Sequence, residues 1–471
     1  MSTRIQVSGW RFLLRRVEHA LVRRDTRMFD DPLQFYSRSV VLGAVLAVLI
    51  AVGCGLLAYF KPLGKRGSDA LLVDRTTNQM YVLLPGTGQL RPVYNLTSAR
   101  LVLGHPAQPF SVTSAELARM PKGQPIGIPG APFGTEVTGK AGTWAVCDTV
   151  TRPDSVVPDL RTAVLIHPVQ TGTDIAALPP GDGALVRFAD RHWVITAAGR
   201  HAIDLADRSV TSAVGLPPDT RSAPMSAGLF NALPDAGPWA LAPLPGRGAP
   251  NTLGLPRELV IGSVFQVDSG STGGRQNYVV LSDGVAKVGE TTAAALRASN
   301  SHGLLSPPIL PASLVVRITE RVYRSSLPQH AITLRTVHQD PTVCWAWQRQ
   351  PGDSGPTTTV LAGRHLPITA AAMGSGIRRV DGVATVYVDG GCYVRIQSPD
   401  HRFGEHLYYV DPQGTRYGVP DEQTAKTLDL TGPSFAPWQI VGLLAEGPVL
   451  TKDAALLEHD TLPPDPRPGP L

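Results

Sequence analysis

The 471-residue chain is short of several things that would point to a simple chemistry. It has only four cysteines and twelve histidines, and no Cys or His spacing that reads as a metal site. It has almost no charge imbalance outside its first 38 residues. That tail holds eight arginines (Arg4, Arg11, Arg15, Arg16, Arg23, Arg24, Arg27 and Arg38) against four acids, residues 39–60 hold no charge, and the remaining 411 residues hold 35 basic and 34 acidic side chains. The overall +5 is therefore a property of the tail, and a basic nucleic-acid face on the body is excluded as the main reading. The apolar content is an ordinary 43%, while 47 Gly and 43 Pro exceed the usual share, so the body reads as a turn-rich globular chain rather than a disordered one.

One long apolar run is present. Val40 to Phe60 is 21 uncharged residues, which as a helix would extend roughly 31 Å and cross a bilayer once. It begins some 40 residues in and no small-residue cleavage site follows, which argues against a removed signal peptide. The Arg-rich tail places the N-terminus in the cytoplasm and residues 61–471 outside it by the positive-inside bias. Within the tail, Trp10, Leu13, Leu14, Val17 and Leu21 share one helical face and Arg11, Arg15, Arg23 and Arg27 lie mostly on another. This amphipathic basic helix suits either anionic membrane lipid or another cytoplasmic subunit. Trp10, Arg11, Leu14, Arg15, Arg16, Arg23, Arg24 and Arg27 are the candidate partner-docking residues.

Four segments of the body share one plan: an aromatic-led apolar strand, a Gly turn, a short strand and a helix-like run. They start at Tyr81, Trp193, Tyr278 and Tyr408, and their glycines are Gly86, Gly199, Gly284 and Gly414. The expected fold is α+β: an N-terminal amphipathic helix and a single transmembrane helix, then an elongated domain of four ββ-α repeat modules around a central β domain. The expected boundaries are a cytoplasmic helix over 1–38, a membrane helix over 39–60, repeats over 61–125, 161–225, 256–310 and 376–435, central β segments over 126–160, 226–255 and 311–375, and a return segment with a Pro-rich tail over 436–471.

Cys54 lies in the membrane run, so an oxidising compartment permits one bridge among Cys147, Cys344 and Cys392. Spacing alone does not choose the pair. Cys147 (Trp144-Ala-Val-Cys-Asp148) and Cys344 (Thr342-Val-Cys-Trp-Ala-Trp347) share aromatic, strand-like surroundings outside the repeats, which favours joining them and leaves Cys392 free.

Two catalytic near-matches fail on context. Gly134-Thr-Glu-Val-Thr-Gly-Lys-Ala141 fits a phosphate loop at Gly134, Gly139 and Lys140, but Ala141 stands where the Mg²⁺-holding hydroxyl belongs, and strand-like sequence rather than a helix follows. Gly352-Asp-Ser-Gly355 and Trp193-Val-Ile-Thr-Ala-Ala198 resemble pieces of a chymotrypsin-like protease, but Gly199 occupies the position of the general base and His201 comes two residues late. No catalytic residue, cofactor or metal is expected, with ATP retained as a second possibility at the incomplete loop.

The Arg-rich tail (Ser8-Gly-Trp-Arg-Phe-Leu-Leu-Arg-Arg through Met28), Asp31-Pro-Leu33, the span, Gly127-Ile-Pro-Gly-Ala-Pro132, the Trp-Ala-Val-Cys-Asp segment and the four repeats together resemble the EccB family. These are single-span membrane components of mycobacterial ESX (type VII) secretion systems. The resemblance implies a cytoplasmic N-terminus, a periplasmic domain of four repeats about a central β domain, and a disulfide matching Cys147 to Cys344. It also implies assembly with the EccC, EccD and EccE subunits in a multimeric inner-membrane complex; from the tail, the span and the repeats, the repeat domain is expected to form a homo-oligomer as a structural core of the export conduit. Family members are also described as ATPases, which is the alternative activity.

Overall fold

The computed structural model describes residues 4–24, 32–60, 69–84, 86–139, 142–268, 274–378, 384–397 and 406–460. These fall into two compact units: residues 1–69 with 111–119, and residues 70–110 with 120–471.

The first unit carries two long helices. Helix α1 (Arg4–Arg23) is the expected basic helix, ended by Arg24 in the left-handed region at φ 55°. Helix α2 (Pro32–Phe60) begins on a proline, whose missing N–H costs nothing in a first turn. It starts well before the apolar run itself, so the apolar stretch continues a helix already under way. Its window Ser39–Leu56 is long and apolar enough to cross a membrane, and none of it is buried against protein.

The second unit is built on a seven-stranded sheet. In spatial order its strands are Ile377–Arg378, Thr385–Val388, Asp159–Ile166, Thr143–Thr151, Thr342–Gln348, Thr357–Gly363 and Ile175–Ala177. Neighbours are antiparallel except Thr385–Val388, which runs parallel to Asp159–Ile166. Strand period two sorts the side chains by size. Trp144, Val146, Trp345 and Trp347 fall on one face, and Ala145, Cys147, Cys344 and Ala346 on the other. On that small-residue face Cys147 and Cys344 stand directly opposite each other, Cα atoms 4.0 Å apart, joined by a disulfide across 197 residues of chain.

Four smaller sheets accompany this one, each containing a three-stranded antiparallel meander. The meanders are Leu71–Asp74, Met80–Leu83 and Leu90–Val93; Asp182–Phe188, Arg191–Thr196 and Gly199–Ile203; Val264–Asp268, Arg275–Val280 and Val285–Val288; and Cys392–Gln397, His406–Val410 and Thr415–Val419. Tyr81, Trp193, Tyr278 and Tyr408 all lie on the middle strand. A helix follows each third strand: Leu96–Leu103, Arg208–Ala213, Glu290–Ser299 and Glu422–Thr427. Three of these are capped by side chains, Asn95 accepting from Ser98 N–H, Asp207 from Ser209 and Val210 N–H, and Asp421 from Thr424 N–H.

The pattern legible in the sequence ends at that helix, and the small sheets do not. In the last three sheets the chain goes on to a short strand parallel to the first meander strand (Ala223–Pro224, Ile309–Leu310, Ser434–Pro437) and a short crossover helix (Ala227–Ala232, Ala312–Val315, Trp438–Val441). A stretch parallel to the third meander strand closes each unit, seen as bridges to Asp235 and Trp239 or as strands Glu320–Arg321 and Ala445–Glu446. The expected boundaries shift for this reason. Residues 161–177 and 377–388, assigned to repeats, supply strands of the seven-stranded sheet. Residues 226–255, assigned to the central β part, supply it with no strand; they pack helix Ala227–Ala232 on it and then return to the second small sheet. Residues 312–321 likewise belong to the third small sheet.

Removing the bridge should be costly because it ties together two adjacent inner strands of the central sheet. Replacing both Cys147 and Cys344 by Ala is expected to lower unfolding stability by roughly 2–5 kcal/mol. Denaturant midpoints without reductant will show the loss, and adding reductant should cost the double variant nothing further.

Candidate functional site

Residues 134–139, the phosphate-loop match, lie as an irregular stretch against the fourth small sheet. Thr138 and Gly139 both donate their backbone N–H to the carbonyl of Gly391, at 3.0 Å each. The Thr135 hydroxyl donates to the Leu428 carbonyl at 2.6 Å, and the Tyr409 hydroxyl donates to the Glu136 carbonyl at 3.1 Å. A phosphate cradle needs free N–H groups converging ahead of a helix. Here those of Thr138 and Gly139 are spent on protein, and strand Thr143–Thr151 follows. The glycines have a packing reason: a Cβ on Gly139 would sit 2.6 Å from the Gly390 carbonyl oxygen, and one on Gly391 would sit 2.3 Å from that of Glu136. Gly134 leaves room, its nearest neighbour being Leu96 Cδ2 at 3.9 Å. Lys140 lies outside the described residues.

The protease-like pieces are engaged in their own local structure. His201 is buried in the second small sheet, with Nδ1 3.0 Å from the Gly237 carbonyl, Nε2 3.1 Å from the Thr196 hydroxyl, and its ring 4.9 Å from that of Trp239. Burial holds its pKa below the ordinary value, so it sits neutral. Asp353 accepts the N–H of Gln350 at 2.7 Å within the exposed turn that also carries Ser354.

The docking candidates on α1 are presented to solvent. Trp10, Arg11, Leu14, Arg15, Arg16 and Arg24 are all exposed, as are Phe12, Leu13, Val17 and Leu21 on the same helix. Arg23 ends the helix, and Arg27 lies outside the described residues.

Two buried polar groups have no counterpart among the residues singled out from sequence. Asp148, next to the disulfide on the tryptophan side of the sheet, accepts the Thr162 hydroxyl at 2.8 Å and the backbone N–H of Ser226 at 2.7 Å. Ser226 in turn caps helix Ala227–Ala232, so this carboxylate fixes where that helix starts. Burial pushes its pKa up against the pull of those hydrogen bonds. The second group is Asp411, which accepts the N–H of Gln413 and Thr415 and the Tyr417 hydroxyl at the turn of the fourth meander. Near it the Cys392 thiol is buried, and burial followed by the Asp411 charge lifts it to about 12, so it remains an unreactive thiol. A single Asp at a strand or turn gives no sequence signal for either role. Among the described residues, no group of three or more His, Cys, Asp or Glu could hold a metal ion.

The arrangement is thus an exposed basic helix, one apolar helix, and a sheet-rich unit in which residues 134–139 and His201 are held by internal hydrogen bonds. The family profile described as "Type VII secretion system ESX-1, transport TM domain B" matches residues 1–464. The chain belongs to the EccB family. The protein named ESX-1 secretion system ATPase EccB1 from Mycolicibacterium smegmatis (strain MKD8) is 59% identical over 468 residues, 99% of this chain and 97% of that one. ESX-3 secretion system ATPase EccB3 of Mycobacterium tuberculosis (strain ATCC 25618 / H37Rv) is 37% identical, covering 99% of this chain and 91% of that protein. Among solved structures, a chain of an intact ESX-5 inner membrane complex matches 100% of this chain and 98% of its own with TM-score 0.78 at 30% identity. A chain of the EccB3 dimer from the ESX-3 core complex matches 83% of this chain and 100% of its own with TM-score 0.73, also at 30% identity.

The contact between 134–139 and 390–391 has a direct test. In this EccB protein Gly391→Val is expected to lower thermal stability by the equivalent of about 2 kcal/mol or more, because backbone and the Tyr409 ring leave the new side chain no space. Gly134→Ala, where the site is open, should leave the melting temperature within about a degree or two of wild type.

Proposed function

We propose that this chain is a structural subunit of an ESX (type VII) secretion complex in the inner membrane, of the ESX-1 kind given its 59% identity to EccB1. In this reading α2 fixes the subunit in the bilayer with the N-terminus cytoplasmic. Helix α1 docks to cytoplasmic and membrane partners, which the EccB resemblance names as EccC, EccD and EccE. The sheet-rich unit stands in the periplasm and oligomerises to frame the conduit. The four small sheets are copies of one module with the order meander, helix, parallel strand, crossover helix and closing strand. One observation carries the proposal most: the family match runs from residue 1 to 464, so tail, apolar helix and sheet-rich unit belong to the matched whole. The dimeric EccB3 relative supports self-association.

ATP hydrolysis is kept as a second reading because the EccB1 and EccB3 relatives carry ATPase in their names. Against it stand the occupied amides of Thr138 and Gly139 and the Ala at position 141.

Two experiments decide between these roles. Deleting residues 1–38 should remove the protein from the purified membrane complex while the sheet-rich unit keeps its wild-type melting temperature; unchanged co-purification would refute docking through α1. For the second reading, phosphate release by the purified full-length protein should stay at background and be insensitive to Lys140→Ala. Robust turnover abolished by that change would establish the ATPase instead.

A further inference from the structure

The second small sheet ends at one edge on strand Ala223–Pro224, which pairs on one side only, with Asp182–Phe188. In this parallel ladder Ala223 stands beside Val186, and the Met225 N–H donates to the Arg187 carbonyl at 3.1 Å. Alternate residues of a strand address opposite neighbours, so Ala223 and Met225 turn their backbone groups inward, and Ser222 and Pro224 turn theirs outward. Among the described residues nothing bonds the Ser222 N–H or the carbonyls of Ser222 and Pro224. Three backbone groups are thus left at an open strand edge.

That edge lines an open cleft of about 810 Å³. The loop after strand Thr143–Thr151 lines it too, with Val156 fully exposed, and Val150 and Val337 add apolar surface. In the sheet register Pro224 stands beside Arg187 and Arg187 beside His192, so the three share a face. Arg187 and Arg221 line the cleft with no ion pair among the described residues, and His192 Nδ1 makes no hydrogen bond. Two acids line it as well: Asp154, whose Oδ1 is 3.7 Å from His338 Nε2, and Asp190 on the turn between the first two meander strands. Neither is paired with Arg187 or Arg221.

We propose that this cleft takes an extended acidic peptide segment of a partner protein, added as a strand to the edge at Ser222 and Pro224. The backbone selects a peptide: its N–H groups donate to the Ser222 and Pro224 carbonyls, and one of its carbonyls accepts the Ser222 N–H. The charge selects the sequence. Side chains of an added strand alternate between faces, so an acid at every second position meets Arg187 and the His192 ring, with Arg221 at the near end. The residues between have Val150, Val156 and Val337 for contact. The recognised feature is therefore an alternation of apolar and acidic residues in an extended chain, and it is independent of docking through α1.

The probe is a short fluorescein-labelled peptide of alternating Val and Glu, acetylated and amidated at its ends, titrated against purified full-length protein at low salt. Its Lys counterpart should bind about tenfold more weakly or worse. Because α1 is also basic, the site is assigned by substitution in the cleft: Arg187→Glu and Arg221→Glu, both on exposed side chains, should each weaken the Glu peptide about tenfold while the melting temperature stays at the wild-type value. Methylating the backbone nitrogens of the Glu peptide should abolish binding, since the side chains remain but the donors to Ser222 and Pro224 are gone. No binding by the Glu peptide, equal binding by the Lys peptide, or indifference to both Glu substitutions would each overturn the proposal. So would full retention of binding by the methylated peptide, or displacement of the Glu peptide by inorganic phosphate, either of which would leave an anion site without strand addition.

Discussion

The sheet-rich unit depends on the pairing of strands Thr143–Thr151 and Thr342–Gln348, and on the way that pairing sorts side chains by size. Because Cys147 lies opposite Cys344, Trp144 must lie opposite Trp347 and Val146 opposite Trp345. A one-residue slip would turn the tryptophans to the face now held by Ala145, Cys147 and Ala346, and would separate the sulfurs. The register fixes the rest. The tryptophan face is the bed for helices Ala227–Ala232 and Trp438–Val441, so modules far apart in sequence are set around one surface. Asp148 adds a polar stop on that face, pinning the start of one helix through Ser226.

Legibility in the sequence followed the strength of each local signal. The apolar run and the Arg-rich helix were plain because composition and the 3.6-residue period act over about fifteen residues or more. Trp144-Ala-Val-Cys-Asp148 read as a strand because its large and small residues alternate. Each of the four aromatics named from the sequence lies on the middle strand of a small sheet. What stayed hidden is how the second, third and fourth small sheets continue past the helix that follows each meander. Ala223–Pro224, Ile309–Leu310 and Ala445–Glu446 are two-residue strands with no period to detect, and their partners lie far back in the chain.

The candidate sites show the same limit. Strand Thr143–Thr151 follows the phosphate-loop match, in keeping with its strand-like sequence, but nothing in the sequence says that Gly139 is small because Gly390 approaches it from a distant part of the chain. The displaced histidine could be dismissed by position, whereas its enclosure between Thr196, Gly237 and Trp239 needed the fold. Glycine motifs mark close approach of backbone, and only the approaching partner separates a ligand from another strand.

The order of the cysteines along the chain bears on how the bridge forms. Synthesis runs from the N-terminus, so Cys147 and Cys344 both emerge before Cys392. Once the central strands pair in register, the two sulfurs are already opposed, and Cys392 folds into its own meander with its thiol withdrawn from solvent. The pairing of the central strands thereby selects the two cysteines that meet, without any feature of the third having to repel the wrong partner.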